Sequence, residues 1–162
     1  MTRKPVIAKL SPNVTDIVSM AKAAVESGAD ALSLINTIWA MAVDAKTWRP
    51  RIASVTGGLS GPAIKPVALR MVWQVHRALP KVPIIGIGGI MTEEDVVEFM
   101  LCGARAVQLG TVNYIHPMAP MKILKGLASY LKSHGIGRPS RLVGGLKVPK
   151  RLSGIPLKAV RG

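Results

Sequence analysis

The stretch Pro83-Ile84-Ile85-Gly86-Ile87-Gly88-Gly89-Ile90-Met91-Thr92-Glu93-Glu94-Asp95 decides how the chain folds. Pro83 to Ile87 is a short apolar run of strand length, and Gly88-Gly89 ends it. Thr92 then offers a capping hydroxyl, and three carboxylates follow where the dipole of a helix favours them. The helix is expected to run to about Leu101 and to stop at Gly103. Strand, glycine turn and helix make one βα unit.

The same unit recurs on both sides. Downstream, Ala106-Val107-Gln108-Leu109 reads as a strand ending in Gly110-Thr111. A helix follows from Pro117 to His134, with Pro117 and Pro120 in or near its first turn. Upstream, Pro5-Val6-Ile7-Ala8-Lys9 reads as a buried strand. Thr15 or Asn13 caps the next helix, whose positions Ile17, Val18, Ala21, Ala24 and Val25 recur at helical spacing until Gly28. Ala31 to Ile35 is another strand, followed by Asn36-Thr37. Residues 37–63 form an excursion of a length that is uncommon in a compact domain unless it is functional. It returns through Gly57-Gly58-Leu59-Ser60-Gly61-Pro62. A helix over 64–79 turns Ile64, Val67, Ala68, Met71, Val72 and Val75 inward. Four βα units in a row predict an α/β fold with a parallel sheet and right-handed crossovers. A (β/α)8 barrel needs eight units in ~250 residues, so these four make either half of such a barrel or a small open sheet.

With 162 residues, 49% of them hydrophobic, the chain can bury a core and is not a disordered segment. A lone cysteine excludes a disulfide framework, a Cys-ligated zinc site and an iron–sulfur cluster built by this chain alone. His76, His116 and His134 are too dispersed for metal-ligand spacing, and Cys102 and the eight methionines read as core. No long apolar run or leader-like N-terminus is present, so a cytoplasmic protein with no membrane span is expected.

The net charge of +14 is uneven: all eight acids lie in residues 1–98, whereas 99–162 carry 11 Lys and Arg and no acid. A polyanion or anionic surface could exploit that basic third. Aromatics make up only 4% and no nucleic-acid-binding motif is present, so the basic region is read as solvated and no specific nucleic acid is expected. The expected division is a half-barrel over 1–135 and a basic, weakly structured tail over 136–162. Trp39 and Trp48 either pack the excursion or form a partner surface.

In a parallel α/β sheet, ligands gather at the carboxyl ends of the strands. Lys9, Asn36-Thr37, Gly88-Gly89 and Gly110-Thr111 all fall there, with Gly61 at the end of the excursion. Glycines let main-chain N–H groups approach a phosphate, and a following helix N-terminus adds to the attraction. Tight βα turns would also explain them. Lys9 either forms an interior ion pair or holds negative charge that develops on a ligand. Asn36 and Thr37 suit a planar heterocycle with amide-like edges, or a plain strand-end turn.

The motifs Lys9-Leu10-Ser11-Pro12-Asn13-Val14-Thr15-Asp16-Ile17, Gly28-Ala29-Asp30, Ser33-Leu34-Ile35-Asn36-Thr37, Gly57 to Pro66, Ile85-Gly86-Ile87-Gly88-Gly89-Ile90 and Val107-Gln108-Leu109-Gly110-Thr111 occur in that order. Over about residues 4–135 the chain resembles the class 1 dihydroorotate dehydrogenases, most closely the type B catalytic subunit. The resemblance implies the C-terminal half of a TIM barrel that uses FMN to oxidise dihydroorotate to orotate in pyrimidine biosynthesis. It also implies an iron–sulfur and FAD electron-transfer subunit that uses NAD, and a homo- or hetero-oligomer. It places Lys9 beside the N1/O2 edge of the flavin and Ile35 against the ring. Gly61, Gly88, Gly89, Gly110 and Thr111 would hold FMN, and Asn36 and Thr37 the orotate.

The chain departs from the family pattern where the base should be. That residue, a Cys or Ser on the loop after the fourth barrel strand, has no counterpart, since Cys102 lies in a later helix. No catalytic residue is therefore assigned, and the chain is expected to be a fragment, split-gene product or truncated gene model, inactive alone. Two alternatives stand beside this reading. One is a non-catalytic phosphate- or nucleotide-binding half-barrel; the other is the FMN domain of a dihydropyrimidine dehydrogenase.

Overall fold

In a computed structural model, residues 3–149 are described. Their elements, in chain order, are β1 (Ile7–Leu10), α1 (Ile17–Glu26), β2 (Ala31–Leu34), β3 (Ile38–Met41), β4 (Val43–Asp44), β5 (Arg49–Pro50), β6 (Thr56–Leu59), α2 (Lys65–Ala78), β7 (Ile84–Ile87), α3 (Glu93–Leu101), β8 (Ala106–Gln108), α4 (Val112–Ile115) and α5 (Ala119–Ser133). One-turn 3-10 helices lie at Pro62–Ile64 and Pro139–Leu142.

The main sheet has the order β1-β2-β7-β8, and all its pairings are parallel. Its register places Leu10, Leu34, Gly86 and Val107 side by side. Residues level in register share a face. This face turns to the helices: Phe99 of α3 lies so close to Gly86 that a Cβ there would come within 2.4 Å of its ring. Leu32, Leu34, Ile84, Val72, Val75 and Phe99 are fully buried between sheet and helices. Each such side chain contributes about 1.5–3 kcal/mol by leaving water.

The opposite face carries Lys9, Ile85 and Ala106 on one level and Ile87 and Gln108 above them. Lys9, Ala106 and Gln108 are exposed there. This corrects the expectation of a buried first strand. β1 starts at Ile7 rather than Pro5, and Ile7 is 53% exposed because no layer of the described residues covers it. Of the two roles open to Lys9, the interior ion pair is not formed, since no carboxylate of the described residues reaches it.

Three further expectations change. The cap of α1 is neither Thr15 nor Asn13 but Asp16, whose carboxylate accepts from the N–H groups of Val18 and Ser19. The excursion is two antiparallel ribbons, β3 with β6 and β4 with β5. A separate short helix, α4, precedes α5, which begins at Ala119. Met20, Met41, Met118 and Met121 are about half exposed or more, so these four are not core. They sit off the buried stripes of their helices or on the uncovered ribbon. Trp39 and Trp48 are exposed on that ribbon and its loop and do not pack it.

Residues 136–146, grouped with the tail in the sequence, fold back on α3. Leu142 is buried, and the N–H groups of Gly144 and Leu146 donate to Met100 and Leu101. The rest of the expected tail, from Lys150, lies outside the described residues. Among the described residues no helix is long and apolar enough to cross a membrane.

Candidate functional site

The parallel register brings the carboxyl ends of all four main strands to one edge. Past β2, the Ile35 N–H donates to Ile87 and the Asn36 N–H to Leu10, so the chain stays tied to both neighbours as it leaves the sheet. Past β7, Gly88 and Gly89 have φ of +131° and +74°, a region that glycine enters at little cost. A Cβ on Gly89 would also meet the Gly61 carbonyl oxygen at 2.7 Å and the Lys65 Cβ at 2.9 Å. The turn is thus pressed against the start of α2. Gly110 differs: nothing lies within 4 Å of where its Cβ would be.

These segments enclose a cleft of about 160 Å³. Every residue singled out in the sequence lines it: Lys9, Ile35, Asn36, Thr37, Gly61, Gly88, Gly89, Gly110 and Thr111. Among the described residues its lining has one cation, Lys9, and no carboxylate. None of the loop backbone hydrogen bonds among the described residues uses the N–H of Gly88, Gly89, Gly110 or Thr111. The cleft therefore presents free main-chain donors near one ammonium, a set suited to an anion. It is smaller than the ~300–1,000 Å³ of a typical small-molecule site.

The helix dipole expected behind the β7 turn is largely taken. The Asp95 carboxylate turns back and accepts from the N–H groups of Met91 and Thr92, while its own N–H donates to Thr92 Oγ1. Asp95 thus closes the N-terminus of α3 and leaves the glycine amides as the less engaged donors of this turn. Burial alone would push the Asp95 carboxyl up, but the hydrogen bonds from Lys65, Met91 and Thr92 outweigh it and hold the group below the usual range.

Sequence reasoning missed four contributors. Ser60 accepts a hydrogen bond from Thr111 Oγ1 at 2.8 Å, tying the end of the excursion to the β8 turn. Gln108 and Met91 line the cleft. Asn13, considered only as a cap, donates to the Thr37 carbonyl and accepts from the Trp39 N–H, fixing the segment that carries Asn36. Strand alternation could have found Gln108, and its place in the Gly57–Gly61 run could have found Ser60. A second cavity of about 250 Å³ adjoins the first, sharing Asn36 and Thr37 and lined also by Ser11, Asn13, Trp39 and Gly58.

Cys102 is no candidate nucleophile or base. It caps the far end of α3, and burial, with Glu98 nearby, pushes its thiol up to about 11. Among the described residues no group of His, Cys, Asp and Glu could hold a metal ion.

The dihydroorotate dehydrogenase family model matches residues 1–131. The chain is 60% identical over 146 residues to the dihydroorotate dehydrogenase B (NAD(+)) catalytic subunit of Pelobacter propionicus, which covers 90% of this chain and 48% of that one. It is 61% identical over 145 residues to the same subunit of Geotalea uraniireducens, covering 90% and 47%. Among solved structures, dihydroorotate dehydrogenase from Eimeria tenella in complex with ferulenol superposes with a TM-score of 0.74 at 28% identity, over 89% of this chain and 39% of that one. The chain spans about half the length of the curated relatives it matches, and its four βα units are part of a TIM barrel. The order of the motifs, the sheet and these matches agree: the chain belongs to the dihydroorotate dehydrogenase family.

Proposed function

We propose that this chain supplies half of an FMN site for the oxidation of dihydroorotate to orotate in pyrimidine biosynthesis, in the cytoplasm. The observation that carries the reading is the convergence of nine sequence-selected residues, eight from the four main strand ends and Gly61 from the end of the excursion, on one cleft whose described lining has free amides and no carboxylate. In this reading, the amides of Gly88, Gly89, Gly110 and Thr111 hold the FMN phosphate, with Gly61 at its edge. Ile35 lines the cleft just past β2, where the flavin ring would lie against it. Bound FMN supplies the hydride acceptor of the reaction. Lys9 has no competing carboxylate among the described residues, so its charge is available to the ring edge where negative charge collects.

Asn36 spends its Oδ1 on the Thr37 N–H at 2.9 Å, which orients its amide. With Thr37 it stands between the two cavities, where a substrate lying on the flavin would meet both. No described residue lining the cleft is a Cys, His, Asp or Glu, and its serine, Ser60, lies on the excursion and is tied to Thr111 Oγ1, so in this reading proton removal from the substrate falls to a residue outside this half. The relatives are named as catalytic subunits. The partner proposed here is an electron-transfer subunit with an iron–sulfur centre and FAD that uses NAD.

The test is in two steps. FMN fluorescence is titrated with the purified chain, and saturable quenching is expected. Dihydroorotate oxidation is then assayed with an artificial acceptor. Little or no turnover is expected from the chain alone; robust turnover would refute the missing base.

A further inference from the structure

Behind the β7 turn, and outside the cleft lining, lies a charged group that the site does not absorb. The Lys65 ammonium bonds to Asp95 Oδ1 and to Glu98 Oε2, the latter at 2.8 Å. Asp95 is only 7% exposed, and its Oδ2 accepts from the N–H groups of Met91 and Thr92 at 2.7 and 2.9 Å. Lys65 opens α2, and its Cβ and N lie 2.9 and 3.0 Å from the point where a Cβ on Gly89 would sit. One ion pair therefore ties the segment that follows Gly89 to the helix against which Gly89 is pressed.

We propose that Lys65 and Asp95 are positioning residues for the phosphate end of the flavin, a role that rests on the FMN reading above. They do two things. The pair fixes the spacing between the Gly88-Gly89 turn and the start of α2, and so the direction of the turn's free amides. Lys65 also cancels the charge of a buried carboxylate next to the place where a phosphate dianion is to bind. Without Lys65, Asp95 would either stay charged and repel the phosphate or take up a proton and loosen its hold on Met91 and Thr92. Two carboxylates share this one ammonium, and both favour its charged form.

Comparing FMN with riboflavin, which lacks the phosphate, separates positioning from general destabilisation. The experiment measures the affinity of both ligands for the chain and for Lys65→Met, Lys65→Arg and the double variant Lys65→Met/Asp95→Asn. Hydrogen exchange of residues 86–92 is followed in parallel. Lys65→Met is expected to weaken FMN about tenfold or more, the scale of one charge-assisted hydrogen bond, while leaving riboflavin within about twofold. Lys65→Arg should restore most of the loss. The double variant, which removes the unpaired charge, should recover part of it. Exchange of the turn should speed up in Lys65→Met. Equal loss of FMN and riboflavin affinity, or an unchanged FMN affinity in Lys65→Met, would overturn the positioning role while leaving the site reading in place. Failure of the unaltered chain to take up FMN at all would instead overturn the site reading and, with it, this inference.

Discussion

Two glycines in the cleft carry opposite obligations. Gly89 is required by the fold: its φ is +74°, and an added methyl would press on the Gly61 carbonyl and on Lys65. Gly110 has open space around it and no such φ. Gly89→Ala should therefore cost about 1–3 kcal/mol, visible as a lower denaturant midpoint. Gly110→Ala should unfold at the midpoint of the unaltered chain yet lose FMN affinity, because the methyl enters the space claimed by the ligand. A Gly110→Ala chain that binds FMN unchanged would remove the β8 turn from the site.

At the scale of elements, stability on the acid side should fall in two steps. Burial, with the Arg105 charge nearby, lowers the His76 pKa from its ordinary 6.5. The folded chain then binds fewer protons at His76 than the unfolded chain does. Its contribution is present above about pH 6.5 and is lost as the pH falls through the depressed value. Asp95 follows the same sign around its ordinary 3.8, so its share is lost only below about pH 4. Thermal midpoints measured from pH 8 to pH 3 should show both steps. His76→Gln should remove the upper one and Asp95→Asn the lower. These contacts mark the limit of what the sequence showed. The four main strands were legible because each is a short apolar run that ends in a glycine or polar turn. The site residues were legible because parallel strands deliver their ends to one edge. Asp16 was missed because Asn13, Thr15 and Asp16 are all competent caps, and only the fold decides which faces the helix. The β3–β6 ribbon was missed because Thr56-Gly57-Gly58-Leu59 has little strand preference of its own and is held by its partner. The Lys65–Asp95 pair joins residues 30 apart in sequence, which no local pattern reveals.

At the scale of the whole molecule, the main sheet of the described residues ends in two edges, β1 and β8, that pair with no further strand among them. Exposed edges favour pairing with other strands. Its inner face is also open at Lys9 and Gln108. The isolated chain is therefore expected to elute from size-exclusion chromatography as a dimer or larger species. A monomer that stays dispersed at high concentration would count against pairing.

In the proposed site, the four strand ends form one surface for the flavin and its phosphate. Amide NMR of the labelled chain during FMN titration tests it most directly. The N–H signals of Gly61, Gly88, Gly89, Gly110 and Thr111 should move together and saturate at one affinity, while those of Gly28, Gly103 and Gly135 stay in place. Shifts scattered over the molecule, or confined to one strand end with the other glycines unmoved, would contradict the account.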